Sequence, residues 1–263
     1  MKGEESVPPG GPEEYRVCVV FHGELVDFFP RETEDPVKRG LTCRRRSVKD
    51  LIESLGVPHT EVGETRMSDR PVPNSRLVER DGRIDVRPRV TFESWRQDGG
   101  DGSAFLFLCD VHLGKLARML RLLGFDTAYD SDAVDVRLVE ISRSQGRILL
   151  TRDLGVLMRR VLERGLFVRS TCPDRQVEEI LDRLRIRSES RPFTRCLICN
   201  GILERIDPSE GERDRVLGEV PEGVKRWCSR FTRCTCCGKI FWQGSHRTRL
   251  ERRVRDYLQS QPV

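Results

Sequence analysis

Long apolar runs are missing from this sequence of 263 residues, in which 34% of the residues are charged. No run approaches the roughly 18 to 20 residues that a membrane-spanning helix needs, so we expect no membrane partner. The first residues, MKGEESVPPGGPEE, are acidic and rich in proline and glycine, and they lack the apolar centre of a signal peptide. We therefore expect a disordered tail over residues 1–14 and a cytoplasmic protein.

A disulfide framework is missing as well, although the chain has ten cysteines. Six of them lie between Cys196 and Cys237 instead of being spread along the chain. In a reducing compartment such clustering favours zinc over disulfides. The other four fit as ordinary core or loop thiols; they are Cys18, Cys43, Cys109 and Cys172.

Positive charge is scarce in the first part of the chain and concentrated at its end. Residues 191–263 contain 15 basic and 9 acidic residues, a net charge of +6, whereas the first 190 residues contain 32 and 33. Four thiolates on one zinc ion would remove about two of these positive charges. The remaining excess indicates a polyanionic partner for the last third of the chain.

The pattern of residues 15–96 predicts a β-grasp domain. Two alternating apolar runs, YRVCVVF and ELVDFF, meet at His22-Gly23, which is typical of a hairpin turn. Ser47 is placed to cap a helix over VKDLIESL, and Gly56 is placed to end that helix.

A second hairpin is predicted at Asp81-Gly82, before the strand RIDVRPRV. The stretch SVKDLIESLGVPHTEVG resembles ubiquitin-like modules of the sulfur-carrier type. A sulfur carrier ends in a free Gly-Gly carboxylate, whereas this chain continues through VRPRVTFESWRQ. Sulfur transfer is therefore excluded; a protein partner is one candidate for this domain, and the sequence leaves its role open.

Residues 104–190 follow a predicted flexible linker, 97–103, and alternate short apolar runs with helical patterns. The predicted strands are AFLFLC, FDTAY, RILLT and LFVRS. The predicted helices are LGKLARMLRLL, the stretch from Val136 to Ser144, LGVLMRRVLERG and QVEEILDRL. This alternation predicts a parallel α/β sheet with helices on both faces, and ligands of such sheets bind beyond the carboxyl ends of the strands.

Aspartates follow the predicted strands at that end of the sheet. Asp110 comes directly after AFLFLC, Asp153 comes after RILLT, and Asp135 lies where it would cap the next helix. Negative charges beside apolar strands are costly to bury, and a cation would relieve their mutual repulsion. Mg²⁺ and Mn²⁺ prefer such carboxylate ligands and can activate both a phosphodiester and a water molecule. We therefore expect Asp110, Asp135 and Asp153 to be catalytic metal ligands.

The choice of the other acids stays open. Asp130 and Asp132 compete with Asp135 for the middle position, and Asp174 is a loosely placed fourth acid. Each of these aspartates also fits as a helix cap or a turn residue. A weak fourth position leaves room for one metal ion instead of two, or for a domain that binds without cutting.

The four-cysteine set is the most specific motif of the chain. Cys196-x-x-Cys199 and Cys234-x-x-Cys237 are two CxxC pairs, which together give a closed, structural, tetrahedral zinc site. The 34 residues between the pairs exceed the usual spacing, so we expect an inserted loop within residues 191–263.

Basic and aromatic residues surround the cysteine pairs, and HRTRLERRVRDYLQ predicts a basic helix behind them. Arginine clamps phosphates and aromatic rings stack on unpaired bases, although such a charge run is also typical of a solvated face. The residues that we expect to bind RNA are Lys115, Arg152, Arg233, Lys239, Trp242, Arg247 and Arg249.

Four strings in this order, FLCDVHLGKLARMLRLLGFDTAYD, GRILLTRD, RCLICNG and CGKIFWQGSH, resemble the Mut-seven C-terminal RNase family. The resemblance covers residues 104–250 and implies a PIN-like nuclease fold, a divalent metal held by acids, and a zinc ribbon behind it. Prokaryotic members often carry a ubiquitin-like module ahead of this domain. The leading acid of the family matches Asp110, its TRD acid matches Asp153, and its middle acid matches Asp135, with Asp132 open as the alternative.

Together these observations predict a metal-dependent endoribonuclease with catalytic Mg²⁺ or Mn²⁺ and structural Zn²⁺. The PIN-like resemblance implies products with a 5′-phosphate and a 3′-hydroxyl. The alternative is a non-catalytic RNA- or ribosome-associated module that uses the zinc ribbon and the β-grasp domain, and the weak fourth acid favours it.

Overall fold

The computed structural model describes residues 14–30, 38–89, 105–206, 216, 218–228 and 230–259. The predicted linker 97–103 and all of the predicted tail except Glu14 lie outside the described residues. The chain forms two compact units, Met1–Val90 and Thr91–Val263. Among the described helices, none combines the length and hydropathy that crossing a bilayer requires.

The first unit is ubiquitin-like. Its elements are β1 (Glu14–Phe21), β2 (Lys38–Arg44), β3 (Arg46–Ser47), α1 (Val48–Ser54), β4 (Val62–Met67), β5 (Arg70–Val72), β6 (Leu77–Val78) and β7 (Gly82–Pro88). Five strands form a sheet in the order β2-β1-β7-β4-β5. Strands β1 and β7 are parallel, the other neighbours are antiparallel, and β3 pairs with β6 separately.

The helix of this unit is the predicted one. The Ser47 hydroxyl accepts a hydrogen bond from the Asp50 backbone N–H at 3.0 Å, so Ser47 is its N-cap. Gly56 ends the turn with a φ of +93°, a conformation that glycine adopts without a steric penalty. Leu51 and Ile52 on the inner face of the helix are buried in the core of the unit.

Both predicted hairpins are wrong. The run ELVDFF forms the 3₁₀ helix Gly23–Phe28 instead of a strand, and it buries Leu25 completely. Over six residues, a pattern of alternating apolar positions does not separate a strand from a tight helix. The hairpin near β7 is also absent, because β7 lies between β1 and β4. The tight turn lies instead at Ser68-Asp69, where both residues have positive φ, as a two-residue turn between β4 and β5 requires.

The second unit contains the predicted parallel sheet. Its strands are β8 (Leu106–Cys109), β9 (Asp126–Tyr129), β10 (Ile148–Thr151) and β11 (Gly165–Phe167), in the order β11-β10-β8-β9. The helices are α2 (Gly114–Leu122), α3 (Asp135–Gln145), α4 (Leu154–Leu157) and α5 (Pro173–Leu184). Alternate strand residues bury on opposite faces: Phe107 belongs to the core with α2 and α5, and Leu108 to the core with α3 and α4.

Helix α4 is much shorter than the predicted helix LGVLMRRVLERG. Only Leu154–Leu157 are helical. The chain then turns so that Leu162 buries in the same core as Leu157 before β11 begins at Gly165. Burial of Leu162 therefore takes precedence over the helical pattern of the segment.

A three-stranded antiparallel ribbon follows the sheet. Its strands β12 (Leu203–Arg205), β13 (Phe231–Cys234) and β14 (Ile240–Trp242) are adjacent in that order, and a short helix α6 (Glu222–Lys225) precedes β13. The predicted basic helix is α7 (Ser245–Gln259). Its residues Val254 and Tyr257 are buried in the core that also contains α2 and α5.

Candidate acidic cleft and cysteine cluster

An acidic cleft of about 470 Å³ opens at the carboxyl ends of β8 and β10. Asp110 directly follows β8, Asp153 follows β10, and Asp135 begins α3; all three line this cleft. Each of the three acids follows a different strand or loop, and the carboxyl ends of parallel strands lie at the same edge of the sheet. The structure therefore places the three acids that we expected to be catalytic in one cleft.

The Thr151 side chain links two of these acids. Its hydroxyl donates to Asp110 Oδ2 at 2.5 Å and accepts from the Asp153 backbone N–H at 3.0 Å. Asp110 is 6% exposed, and its Oδ1 accepts from the His112 backbone N–H at 3.3 Å. The Asp110 carboxylate is consequently held in one orientation by groups at both of its oxygens. Sequence reasoning missed Thr151, although it is the threonine of the TRD string.

Asp153 is the N-cap of α4. Its Oδ1 accepts from the backbone N–H groups of Gly155 at 2.7 Å and Val156 at 3.4 Å. These bonds satisfy donors that the first turn of the helix leaves without partners. The cap role and the metal-ligand role are compatible, because both bonds use the same oxygen.

Asp135 is the first residue of α3, whose N-cap is Val134, so the predicted cap position of Asp135 is wrong by one residue. Asp135 lies at the edge of the cleft and forms an ion pair. Its Oδ2 is 3.2 Å from Arg159 Nη2, and both side chains are about half exposed. Exposed pairs of this kind are weak, so a cation can compete with Arg159 for the carboxylate. Arg159 was not among the residues that the sequence indicated.

The three carboxylates share the cleft without forming a compact ligand set. In the described part of the chain, the four cysteines are the only group of three or more acidic, histidine or cysteine side chains whose ligand atoms all lie within 4.8 Å.

The other candidate acids lie outside the lining of the cleft. The Asp130 carboxylate accepts from the Asp132 backbone N–H at 3.0 Å and so stabilises an exposed turn. Asp174 lies in the first turn of α5 and accepts hydrogen bonds from Arg253 and the Tyr257 hydroxyl of α7. The Tyr257 hydroxyl and the Arg253 guanidinium lower the pKa of Asp174, which therefore anchors the basic helix instead of joining the acidic cluster.

Arg152 lines the acidic cleft, but its guanidinium is engaged elsewhere. Its Nη1 donates to the backbone carbonyls of Val168, Arg169 and Ser170 at 2.5–2.8 Å. The contacts seen in the structure therefore give Arg152 a structural role in holding the segment after β11. Lys115 is exposed in the first turn of α2.

The four predicted zinc ligands form one cluster. The Sγ atoms of Cys196 and Cys237 are 3.8 Å apart, and those of Cys199 and Cys234 are 3.4 Å apart. Zinc–sulfur bonds of ~2.3 Å in a tetrahedron require sulfur–sulfur distances of ~3.8 Å. The donor set and its spacing therefore fit a Zn²⁺ ion.

Close packing around the sulfurs restricts the neighbouring residue. A Cβ atom on Gly201 would lie 2.8 Å from Cys234 Sγ and 2.7 Å from the Cβ of Cys236.

Burial raises the pKa of Cys196 to about 12. Burial also acts to raise the pKa of Cys199, but the Gly201 backbone N–H and the neighbouring thiols outweigh it and lower that pKa to about 6.

The first CxxC turn is fastened to the parallel sheet. The buried Arg121 of α2 donates to the carbonyls of Leu197 at 3.3 Å and Ile198 at 2.8 Å. The Asn200 side-chain oxygen accepts from the Thr127 backbone N–H of edge strand β9 at 2.9 Å. The cysteine cluster is thus tied to an element of the same sheet that carries the acids.

Three of the expected RNA-binding residues line a second pocket, of about 460 Å³: Lys239, Trp242 and Arg247. Arg233 forms an ion pair with Glu219 at 3.0 Å, and Arg249 is exposed on α7. The structure thus groups part of the expected set around the ribbon.

Three acids thus line a cleft at the carboxyl edge of a parallel sheet, and a four-cysteine ribbon follows that sheet. The chain belongs to the Mut7-C RNAse domain family, whose model matches residues 106–254. A second model, Mut7-C ubiquitin, matches residues 15–94. These matches confirm the resemblance drawn from the sequence and support a nuclease-like function.

One similar curated protein is the human protein named Exonuclease mut-7 homolog. It is 26% identical over 232 residues, which cover 60% of this chain and 26% of the human protein. The chain thus spans about a quarter of the length of that relative. No solved structure is significantly similar to the chain.

Proposed function

We propose that this protein is a metal-dependent endoribonuclease in which Asp110, Asp135 and Asp153 hold Mg²⁺ or Mn²⁺. The observation that carries the proposal is the shared lining of one cleft by these three acids in a member of an RNase family. RNA is the proposed substrate. The cytoplasm, where thiols stay reduced, is the compartment that suits a thiolate zinc site.

The acids suit a hard divalent cation by chemical type. Mg²⁺ and Mn²⁺ are coordinated by carboxylate oxygens and water, and the cleft offers three carboxylates from separate segments. A cation bound there supplies Lewis-acid polarisation of a phosphodiester and favours deprotonation of water.

The protein's own residues prepare this site. The Thr151 hydroxyl fixes the Asp110 carboxylate, and the N-terminal turn of α4 fixes Asp153. Arg159 balances the charge of Asp135 and has to release it when a cation enters. The basic residues of the ribbon and α7 hold the RNA, so binding should weaken steeply with salt. The cysteine cluster has no open coordination position when all four thiolates are used, so its proposed role is structural.

A circular RNA incubated with Mn²⁺ tests the proposal, since only internal cleavage can linearise a circle. We expect the wild-type protein to linearise it and to leave a 5′-phosphate and a 3′-hydroxyl. Asp110→Asn and Asp153→Asn should each reduce the rate by at least ~100-fold, because each removes a proposed ligand charge. Equal cleavage by all three proteins would exclude this site. Degradation of linear RNA without linearisation of the circle would indicate an exonuclease.

A second candidate is a non-catalytic RNA- or ribosome-associated module. The observation that favours it is the engagement of Asp174 by Arg253 and Tyr257, which leaves no fourth acid at the cleft among the described residues. In that case the ribbon binds RNA and the ubiquitin-like unit docks a protein. Salt-sensitive RNA binding by wild type with no cleavage in Mg²⁺ or Mn²⁺ would support this candidate over the enzyme.

A further inference from the structure

The ribbon pocket lies between α2, β14 and α7. It is enclosed by Leu122 of α2, Phe241 of β14, Leu250 of α7 and Phe193 in the segment before the first CxxC pair. Its volume of about 460 Å³ falls in the range of roughly 300–1,000 Å³ that is typical of ligand pockets. It shares no lining residue with the acidic cleft.

The charges at this pocket are all of one sign. Of its lining residues, which all belong to the described part of the chain, four are basic and none is acidic. Arg195 pairs with Asp126 and Arg247 pairs with Glu251. Within the described residues, Arg118 and Lys239 form no ion pair, and both are exposed.

The walls of the pocket are aromatic. Phe241 lies opposite Thr232 in the β13–β14 pairing, and both residues line the pocket. Trp242 also packs against the small core of the ribbon, whereas Phe241 belongs to none of the buried cores of the described residues. Phe241 is therefore the ring available for a ligand.

Phe193 is held in an unusual backbone conformation. Its φ is +63°, which is uncommon for a residue other than glycine. Its backbone N–H donates to the Leu122 carbonyl at 3.0 Å, and the Arg247 guanidinium lies 4.2 Å from its ring centroid. The Phe193 backbone is thus bonded to α2, and its ring contacts Arg247 of α7.

We propose that this pocket receives one unpaired nucleobase of single-stranded RNA, with the adjoining phosphates on Arg118 and Lys239. The inference rests on the proposed function, since it takes RNA as the ligand. A base stacks on an aromatic face, and the phosphates next to it require cations. An apolar protein side chain would suit the walls but would leave the exposed Arg118 and Lys239 without partners.

The pocket also orients the RNA relative to the acidic cleft. Asp110 precedes the first turn of α2, and Leu122 is the last residue of that helix. The nine residues of α2 span about 13.5 Å at ~1.5 Å per residue. An RNA strand with one base in the pocket therefore runs along α2 to the acids, and it passes Lys115 in the first turn of this helix.

Binding of a short oligoadenylate and of a same-length chain of abasic ribose phosphates tests the proposal. The assay uses the zinc-loaded chain of 263 residues with Asp110→Asn and Asp153→Asn, so that the RNA is not cut. We expect the oligoadenylate to bind roughly 5- to 150-fold more tightly than the abasic chain, because stacking of one base on an aromatic ring increases the affinity by this factor. Phe241→Leu should remove most of this preference, and Phe241→Trp should keep it. Arg118→Ala and Lys239→Ala should weaken both chains equally.

Trp227→Leu is the aromatic control, because Trp227 is 57% exposed in the segment before β13 and lies outside the lining, although its ring is next to the lining residue Gly244. Arg70→Ala in the first unit is the charge control. Zinc content and circular dichroism verify that each variant is folded.

The inference is overturned if folded Phe241→Leu keeps the preference for the oligoadenylate over the abasic chain, or if Trp227→Leu removes this preference. It is also overturned if the protein with an unchanged pocket shows no such preference. Cleavage of circular RNA is measured separately on proteins with intact aspartates. Base-dependent binding without cleavage would refute the proposed endoribonuclease activity and support the base-binding pocket. Cleavage without a base preference would support the activity and refute the pocket.

Discussion

Thr151 is the residue on which the geometry of the acidic cleft depends. Its single hydroxyl contacts the Asp110 carboxylate and the Asp153 backbone. Hydrogen-bond partners behind a metal ligand fix its orientation, and their loss typically reduces metal affinity or activity by roughly 10- to 100-fold.

Thr151→Val keeps the shape of the side chain and removes the hydroxyl. We expect the Mn²⁺-dependent cleavage rate to fall by roughly 10- to 100-fold, because the buried Asp110 carboxylate loses its donor. Thr151→Ser is the matched control and should retain most of the rate. Wild-type activity in folded Thr151→Val would show that the cleft does not depend on this contact.

Arg159→Gln should have the opposite effect on metal binding. The pair between Arg159 and Asp135 is half exposed, and such pairs contribute about 0.2–1 kcal/mol. Its removal should tighten Mn²⁺ binding by up to about five-fold in calorimetric titration. Arg137→Gln, on the exposed face of α3, should leave the affinity unchanged. Weaker Mn²⁺ binding by Arg159→Gln would contradict a role for Asp135 as a metal ligand.

Asp85 gives the ubiquitin-like unit a predictable response to pH. Arg83 donates to both of its oxygens at 2.7 Å, and His22 lies 2.8 Å away; the Arg83 bonds and His22 lower the pKa of Asp85 to about 2, against the effect of burial. Because the pKa is lower in the folded state, the ionised Asp85 carboxylate increases the free energy of unfolding. This stabilisation is complete at pH values above about 4 and is lost as the pH falls from about 4 to about 2.

Asp85→Asn should therefore destabilise this unit at pH 7 by at most about 2 kcal/mol. The difference between wild type and variant should shrink as the pH falls towards 2. Hydrogen exchange of the β1 and β7 amides measures this difference in the chain of 263 residues. A difference that stays constant from pH 7 to pH 2.5 would show that charge on Asp85 is not its cause.

At the scale of elements, the end of α2 depends on one glycine. Gly124 has a φ of +91°, and a Cβ atom there would lie 2.1 Å from the Arg191 carbonyl oxygen. No side chain fits without moving the backbone that leads to the first CxxC pair.

Gly124→Ala should lower the melting temperature of the second unit strongly. The positive φ alone costs an alanine about 1–2 kcal/mol, and the clash with Arg191 adds to it. Gly218→Ala is the control, because a Cβ there meets no atom within 4 Å. Similar melting temperatures for the two variants would refute this account of the α2 end.

The elements that could be predicted from the sequence are those with local signals. Helices α2, α3, α5 and α7 follow from apolar spacing, and the cap of α1 follows from Ser47. The pairing of β1 with β2 and the position of β7 depend on residues far apart in the chain, so the predicted hairpins failed.

The same distinction holds for the candidate site. Asp110 and Asp153 could be chosen because an acid directly after a buried strand is a local pattern. The roles of Thr151, Arg159 and Arg121 arise from neighbours that only the fold brings close. The engagement of Asp174 by α7 is likewise a contact across 79 residues of sequence.

At the scale of the whole molecule, the cysteine cluster stabilises more than its own turns. The first CxxC turn is bonded to Arg121 of α2 and to Thr127 of β9. A zinc ion bound by the four cysteines would therefore stabilise the ribbon directly and the β9 edge of the sheet through these bonds.

Removal of zinc with a chelator should release one zinc ion per chain. Hydrogen exchange should then accelerate at the β13 amides and at Thr127, because both depend on the folded CxxC turns. The β1 and β7 amides of the other unit are the internal control and should not change. Full protection of β13 after zinc removal would show that the metal is not structural.

The central claim is that Asp110, Asp135 and Asp153 hold one divalent cation at the carboxyl edge of the parallel sheet. Anomalous X-ray scattering from crystals grown with Mn²⁺ tests it most directly, since it locates the ion without an activity assay. We predict a manganese peak bonded to Asp110, Asp135 and Asp153, which disappears in Asp110→Asn, and a separate zinc peak at the four cysteines. A cleft without manganese at saturating concentration, or a peak on other residues, would contradict the claim.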